Sequence, residues 1–254
     1  AAVARYPDAH CLTLRETIAA TLRVAADRLV FGNGSEDLIA IAGRAFLDPG
    51  DSVVLSSPTF SVYGDTAAVM GAHVIDVPRR ADLTVDVDAV LGALDPATKL
   101  LCLCNPNNPT GTMIGRTEFE RLCRGAGPHT LIVVDEAYYE YARGIAGYPD
   151  SLSFLPEVSA RWLVLRTFSK AYGLAGLRVG YGIASDAKVA HQLQSVRSAF
   201  NVNHLAQTAA IAAWSDQDHV APSVAHNAAE MARVDGALRR RGYTPARSAT
   251  NFLF

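Results

Sequence analysis

Short apolar runs alternate along this chain with longer stretches in which apolar positions recur every three or four residues. Residues 52–56, 73–77, 100–104, 130–134, 162–166 and 179–183 are brief, aliphatic and bounded by turn formers, which predicts strands. Residues 36–46, 61–70, 86–94, 116–124, 186–198, 204–214 and 224–241 carry the spacing of helices. Strands that are apolar at nearly every position need cover on both faces. Strands and helices in alternation therefore predict an α/β fold, with a mainly parallel sheet between helices. After the last helix, Gly242-Tyr243-Thr244-Pro245 breaks the pattern, and Asn251-Phe252-Leu253-Phe254 reads as a further strand entering a core. That helix and strand are expected to open a second, smaller domain.

Composition narrows the function classes. The 254 residues are 50% hydrophobic and 19% charged, with a net charge of −2, which gives no electrostatic reason to expect nucleic acid or an anionic membrane as partner. No apolar run approaches the roughly 18 residues of a membrane-spanning helix. Arg5, Asp8, Arg15 and Glu16 interrupt the first twenty residues, so no signal-peptide core is present there and a cytoplasmic location is expected. The four cysteines have no metal-ligand spacing; Cys102 and Cys104 alternate within an apolar run, as reduced packing residues do. The seven histidines form no cluster and no Ser-His-Asp order is evident, so hydrolase and metalloenzyme readings have no support. A chain that stops within an apolar run reads as part of a longer one.

The chemistry concentrates around Lys170. Thr167-Phe168-Ser169-Lys170 is followed, eight residues after the lysine, by Arg178. A lysine amine forms Schiff bases with aldehydes, and two hydroxyls with a guanidinium suit a phosphate. An aldehyde carrying a phosphate describes pyridoxal phosphate. Asp135-Glu136-Ala137-Tyr138 follows an apolar run, so its acid stands where ligands bind in open α/β sheets. A carboxylate there can partner a protonated pyridine nitrogen, though it equally suits a helix cap. Asn105-Pro106-Asn107-Asn108-Pro109-Thr110-Gly111 fixes a tight turn after another strand. Gly32-Asn33-Gly34-Ser35-Glu36 precedes a helix and can bring N–H groups to an anion, or simply cap that helix through Ser35. Phe60 can stack on a planar ring or pack a core. No Walker-type Gly-Lys-Ser/Thr is present, and a nucleotide-binding reading leaves Lys170, Asp135 and Asn108 unexplained.

Taken in order, Arg5-Tyr6-Pro7, the Gly34-Ser35 turn, the segment from Pro58 to Tyr63, the Asn-Pro turn, Asp135-Glu136-Ala137-Tyr138, Ser169-Lys170 with Arg178, and Phe200-Asn201-Val202-Asn203 resemble the histidinol-phosphate aminotransferase family. This family belongs to the class I/II aminotransferases, which are fold-type I pyridoxal-phosphate enzymes. The resemblance implies a seven-stranded, mainly parallel sheet and the start of a smaller α+β domain. It divides the chain into residues 1–20 at a dimer interface, 21–222 as the large cofactor-binding domain, and 223–254 opening the small one.

The resemblance also distributes roles. Lys170 is the Schiff-base and proton-transfer residue, and Asp135 partners the pyridine nitrogen. Asn108 and Tyr138 reach the ring oxygen while Phe60 stacks on the ring. Gly34, Ser35, Thr167, Ser169 and Arg178 hold the phosphate. Tyr6 reaches the phosphate bound by a neighbouring subunit, which implies a homodimer with shared active sites. The cofactor is pyridoxal 5'-phosphate, with no metal. The implied reaction moves an amino group from histidinol phosphate to a 2-oxo acid such as 2-oxoglutarate, in histidine biosynthesis. Transamination of aromatic amino acids and decarboxylation of a threonine-phosphate type are the alternatives within the same motifs. An effector-binding domain of a transcription regulator would need an attached basic module, which this sequence does not contain. Phe60 departs from the tyrosine of many members, Ala199 from their proline, and the family's carboxylate-binding arginine falls beyond Phe254.

Overall fold

The computed structural model describes residues 4–254. Seven strands, β1 (Leu29–Gly32), β2 (Ser52–Leu55), β3 (His73–Asp76), β4 (Thr98–Cys104), β5 (Leu131–Asp135), β6 (Arg161–Thr167) and β7 (Gly180–Ala184), form one sheet in the order β1-β7-β6-β5-β4-β2-β3. The pairs β3-β2, β2-β4, β4-β5 and β5-β6 are parallel, and β7 runs antiparallel to both β6 and β1. The mainly parallel α/β sheet expected from the sequence is therefore present. One consequence positions everything else: the carboxyl ends of β1, β2, β4, β5 and β6 and the start of β7 all reach the same edge.

The helices are α1 (Leu12–Leu22), α2 (Ser35–Phe46), α3 (Val62–Met70), α4 (Val87–Gly92), α5 (Arg116–Gly125), α6 (Tyr139–Ala142), α7 (Ser151–Phe154), α8 (Ala187–Ser195), α9 (His204–Ser215) and α10 (Gln217–Arg240). Successive strand residues point to opposite faces, so each central strand feeds two cores. On one face Ile132, Val134 and Val164 pack with Leu14 and Ile18 of α1, Phe119 and Leu122 of α5 and Ala210 of α9. On the other, Leu131, Val133 and Leu165 pack with Leu38 and Ile41 of α2, Ala67 of α3 and Leu193 of α8. Each fully buried Leu, Ile or Phe in these layers is worth about 1.5–3 kcal/mol relative to exposure. Helix entries are capped where the sequence offers an acid or amide: the Oδ1 atoms of Asp86, Asp186 and Asn203 accept the N–H groups of Ala89, Val189 and Ala206 at 3.1, 2.9 and 2.8 Å.

The departures from the sequence reading have local causes. Residues 12–22 form a helix that the apolar spacing does not announce, because its buried stripe includes Arg15. That side chain is satisfied by carbonyls, donating to Ala26 O at 2.8 Å and to Leu29 O. β1 (Leu29–Gly32) is a further strand that the apolar runs singled out in the sequence do not include. Residues 251–254 are not a strand: no ladder partner is available to them, and the one backbone bond there runs from Ala246 N to Phe254 O at 3.0 Å. α10 begins at Gln217, earlier than residue 224, with Asp216 Oδ1 accepting His219 N at 3.1 Å; Pro222 lies in its second turn without ending it. Among the described residues no helix is long and apolar enough to cross a membrane. The four cysteines are free and buried.

Candidate functional site

An open cleft lies at the sheet edge where the strand ends converge. One end is built for an anion. Gly34 (φ 87°) is the N-cap of α2, so Ser35 is the first helical residue and not the cap itself. The first-turn N–H groups of α2 have no intrahelical acceptor, and Ser35 lines the cleft. A Cβ on Gly34 would stand 2.5 Å from Arg178 Nη2. One on Gly180 would stand 2.5 Å from Ser35 N and 2.8 Å from Gly34 C. Both glycines are thus required for β7, the α2 turn and the guanidinium to close on one another.

Opposite this turn, Thr167 Oγ1 donates to Ser169 Oγ at 3.0 Å and accepts Ser169 N at 3.1 Å. Arg178 is a non-glycine residue at φ 57°, a strained conformation of the kind that clusters at functional sites. Its Nη1 donates to Ser169 Oγ at 3.5 Å, and its Nη2 stands 3.8 Å from Glu36 Oε2. Hydroxyls, helix N–H groups and a guanidinium therefore face one small volume, which is what a phosphate monoester needs.

Lys170 follows the end of β6 and lines the middle of the cleft. Its Nζ lies 5.1 Å from the centre of the Tyr138 ring and makes no hydrogen bond or ion pair with the described residues. Asp135 ends β5 in the same cleft, 3% exposed. Its Oδ2 accepts the Tyr63 hydroxyl at 2.8 Å and its Oδ1 accepts Ala137 N at 3.0 Å. Burial raises the Asp135 pKa above the ordinary carboxylate value, although these hydrogen bonds and Lys170 act the other way. A cationic donor entering the cleft would reverse that shift.

Tyr138 lines the cleft beside Lys170. Burial first, then the neighbouring Cys104 and Asp135, push its phenol up to about 12, so it remains a proton donor at neutral pH. The Asn-Pro turn separates three amides by task. Asn105 braces the turn through Ile114 N to its Oδ1 (2.8 Å) and its Nδ2 to Ile114 O (3.2 Å). Asn107 Nδ2 donates to Pro58 O at 3.0 Å and its Oδ1 accepts the Thr59 hydroxyl at 2.7 Å, tying the Phe60 segment to the turn. Asn108 keeps its side chain free of the described residues and lines the cleft, as does Phe60.

The structure thus brings together Ser35, Phe60, Asn108, Asp135, Tyr138, Thr167, Ser169, Lys170 and Arg178, with Gly34 at the guanidinium. Tyr6 is not among them. It lies outside the cleft, 82% exposed, stacked on Phe200 at 4.7 Å between ring centres. Sequence reasoning placed none of Tyr63, Gly180 and the Ala137 N–H at the site, and it read Cys104, which lines the cleft, as a packing residue. A glycine opening an apolar strand is a recognisable sign of close backbone approach; Tyr63, three residues after Phe60 on a helical face, looks like any core aromatic.

Comparison with known proteins places this geometry. The chain matches the family described as aminotransferase class I and II over residues 1–254. It is 45% identical over 249 residues to histidinol-phosphate aminotransferase 1 of Mesorhizobium japonicum, covering 98% of this chain and 68% of that protein. It is 44% identical to histidinol-phosphate aminotransferase 2 of Caulobacter vibrioides, covering 65% of it. The chain thus spans about two thirds of the length of these curated relatives. Among solved structures, histidinol-phosphate aminotransferase from Sinorhizobium meliloti in complex with pyridoxal-5'-phosphate superposes with a TM-score of 0.90 at 30% identity, over 99% of this chain and 67% of that one. With the whole of its length matched and its strand ends gathered around a free lysine, the chain belongs to the class I and II aminotransferases.

Proposed function

We propose that the protein is a pyridoxal-phosphate-dependent aminotransferase that moves the amino group of histidinol phosphate to a 2-oxo acid such as 2-oxoglutarate, in histidine biosynthesis. The observation that carries this reading is the free Lys170 amine between a buried carboxylate and a phosphate-shaped cup, in a chain 45% identical to a histidinol-phosphate aminotransferase. The residues present fit the cofactor on three independent grounds. Gly34 and Gly180 let Arg178, β7 and the α2 turn close into a cup, and among the described residues Lys170 Nζ has no partner and the buried Asp135 has no cation within ion-pair distance.

Pyridoxal phosphate, when bound, supplies an aldehyde for amines to condense with and an electron-poor ring that accepts the charge left by bond breaking at the amino carbon. The protein's own groups do the rest. The α2 turn at Gly34 and Ser35, with Thr167, Ser169 and Arg178, would anchor the phosphate. Phe60 would cover one face of the ring. Asp135, held by Tyr63 and Ala137 N–H, would keep the ring nitrogen protonated, because a cationic donor restores what burial took from the carboxylate. Asn108 and the Tyr138 hydroxyl would donate to the ring oxygen. Lys170 Nζ would hold the cofactor's aldehyde carbon and, as a free amine, would hold and move a proton at the substrate's amino carbon.

The exposed Tyr6–Phe200 pair is proposed to face a second copy of the chain in a homodimer with shared sites. α10 runs through residue 222, so a helix and not a loop would join the domain of 21–222 to the smaller one opened by 223–254, with 1–20 at the dimer interface. A cytoplasmic setting accompanies the pathway assignment.

The test combines spectroscopy and turnover. Protein reconstituted with pyridoxal phosphate should show a visible band abolished by borohydride, and Lys170→Ala should lose it. Histidinol phosphate should then support 2-oxoglutarate-dependent transamination more efficiently than phenylalanine. Release of CO2 from phosphothreonine, or a preference for phenylalanine, would overturn the substrate assignment. A reducible band surviving in Lys170→Ala would overturn the site.

A further inference from the structure

The Tyr138 hydroxyl makes no hydrogen bond with the described residues, so packing alone sets the direction of the phenol. Its backbone offers little help, being the N-cap of the four-residue α6 at φ −111°, ψ 20°. The ring has one cationic and one aromatic neighbour among the described residues: Lys170 Nζ at 5.1 Å from its centre, and Phe252, whose ring lies T-shaped to it at 5.3 Å and 81°. Lys170 is a flexible chain that the reaction itself moves. Of these two, the fixed neighbour is Phe252.

The segment that carries Phe252 is itself tied down, and to a second part of the site. Ala249 N donates to Gly111 O at 2.8 Å, on the turn that presents Asn108. Ser248 fills the open face of Gly111 (φ 73°), where a Cβ would stand 2.9 Å from that of Ser248. Ser248 Oγ and Thr250 Oγ1 lie 2.8 Å apart, Thr250 N donates to Ser248 Oγ at 3.1 Å, and Asn227 Nδ2 on α10 donates to Thr250 O at 3.3 Å. One segment anchored to α10 thus backs both the end of β4 and the end of β5.

We propose that Phe252 is a positioning residue: its ring, T-shaped to that of Tyr138, fixes the phenol at the cleft, so that residues 248–252 set how firmly the cofactor's ring oxygen is held. The inference rests on the reading of Tyr138 as a donor to that oxygen. A donor there favours the oxygen's anionic form, which lowers the pH midpoint at which the visible band of the reconstituted protein titrates. A residue that merely packs would change stability and leave this midpoint in place.

The experiment is that titration, with pyridoxal phosphate as the probe. Tyr138→Phe should raise the midpoint by about one pH unit, the size expected for one lost hydrogen bond. Phe252→Ala should raise it in the same direction by roughly half as much. Phe252→Leu, which keeps most of the buried area and guards against misfolding, should also raise it, and Phe252→Tyr should restore the wild-type value. In a Tyr138→Phe background, Phe252→Ala should move nothing further. If Tyr138→Phe shifts the midpoint and neither Phe252→Ala nor Phe252→Leu does, the inference fails and the Tyr138 reading stands. An equal shift from Phe252→Ala with and without the Tyr138 hydroxyl also overturns it, since Phe252 would then act by another route. If Tyr138→Phe itself shifts nothing, both fall together.

Discussion

Asp135 and Glu136 are consecutive carboxylates at the end of β5, and they leave the strand toward opposite faces. Both are nearly inaccessible, at 3% and 1% exposed, so burial does not separate them. Partners do. Glu136 Oε2 accepts Arg166 Nη2 at 2.8 Å and Arg166 Nε at 2.9 Å, and its Oε1 accepts the Ser151 hydroxyl at 2.6 Å. Arg166 in turn lies over the Tyr139 ring at 3.5 Å from its centre. Asp135 has two hydrogen bonds, from a phenol and a backbone N–H, and no cation at ion-pair distance among the described residues. One carboxylate has its charge answered within the chain, and the other, on the proposed reading, awaits a charge that arrives with a ligand. An unmet requirement, more than charge or depth, marks the functional group.

Neutralising each acid in turn should therefore give opposite results. Glu136→Gln leaves the Arg166 guanidinium buried without its counter-charge and should cost about 3–5 kcal/mol in urea unfolding of the cofactor-free protein. Replacing both partners, Glu136→Leu with Arg166→Met, should recover most of that loss. Asp135→Asn keeps the volume and removes the charge, with its Oδ1 accepting the Ala137 N–H and its Nδ2 donating to the Tyr63 oxygen, since that hydroxyl can also accept. It should lower transamination roughly 10²–10³-fold, as expected for losing one preorganised electrostatic partner, and cost no stability in the cofactor-free protein. If Asp135→Asn destabilised that protein as Glu136→Gln does, the contrast would be lost and Asp135 would count as a structural acid.

Glu140, buried one turn further along, sharpens the same contrast through pH. Burial pushes its carboxyl from 4.5 up to about 7, against the opposing influence of Arg166 and Arg143. Between those values the folded state binds more protons than the unfolded. The stability present below pH 4.5 is accordingly lost as pH rises through about 7. Asp135, also raised, acts in the same direction, so the informative quantity is the difference between wild type and Glu140→Gln. That difference should grow across this window and reach at most about 3 kcal/mol in favour of the variant at pH 8. A constant difference from pH 5 to 8 would show that Glu140 stays ionised beside Arg166.

The parts of this molecule legible in the sequence are those where chemistry and periodicity agree. Apolar runs of strand length separated by helical spacing gave the layered sheet, and ligand-type residues directly after those runs gave Lys170, Asp135 and the Asn-Pro turn. What escaped was residues whose role depends on a neighbour distant in sequence. Arg15 breaks the apolar stripe of α1 yet is buried, because the carbonyls that satisfy it lie 11 and 14 residues away. Tyr63 reaches Asp135 across 72 residues, and nothing local distinguishes it from a core tyrosine. Residues 251–254 have a strand's composition without a strand's partner, since β-pairing is a property of two segments. Asn107 and Asn108 are adjacent and chemically identical; only the bonds of the first to Pro58 and Thr59 show which is scaffold and which faces the cleft.

The finest test separates the two carboxylates by their hydroxyl donors. Tyr63 and Ser151 each give a short hydrogen bond to a buried carboxylate, at 2.8 and 2.6 Å. Tyr63→Phe leaves Asp135 with the Ala137 N–H alone, so its carboxylate should be still harder to ionise and a poorer partner for a ring cation. A hydrogen bond to a charged group is worth about 1.5–3 kcal/mol, part of which the cleft's water replaces. Pyridoxal phosphate should therefore bind roughly tenfold more weakly, measured by absorbance titration. Ser151→Ala removes a comparable bond from Glu136, on the opposite face, and should lower stability by about 1.5–3 kcal/mol while leaving cofactor affinity unchanged. Were Tyr63→Phe to behave like Ser151→Ala, losing stability with no change in affinity, Tyr63 would be scaffold, and the readiness of Asp135 would rest on its burial and the Ala137 N–H alone.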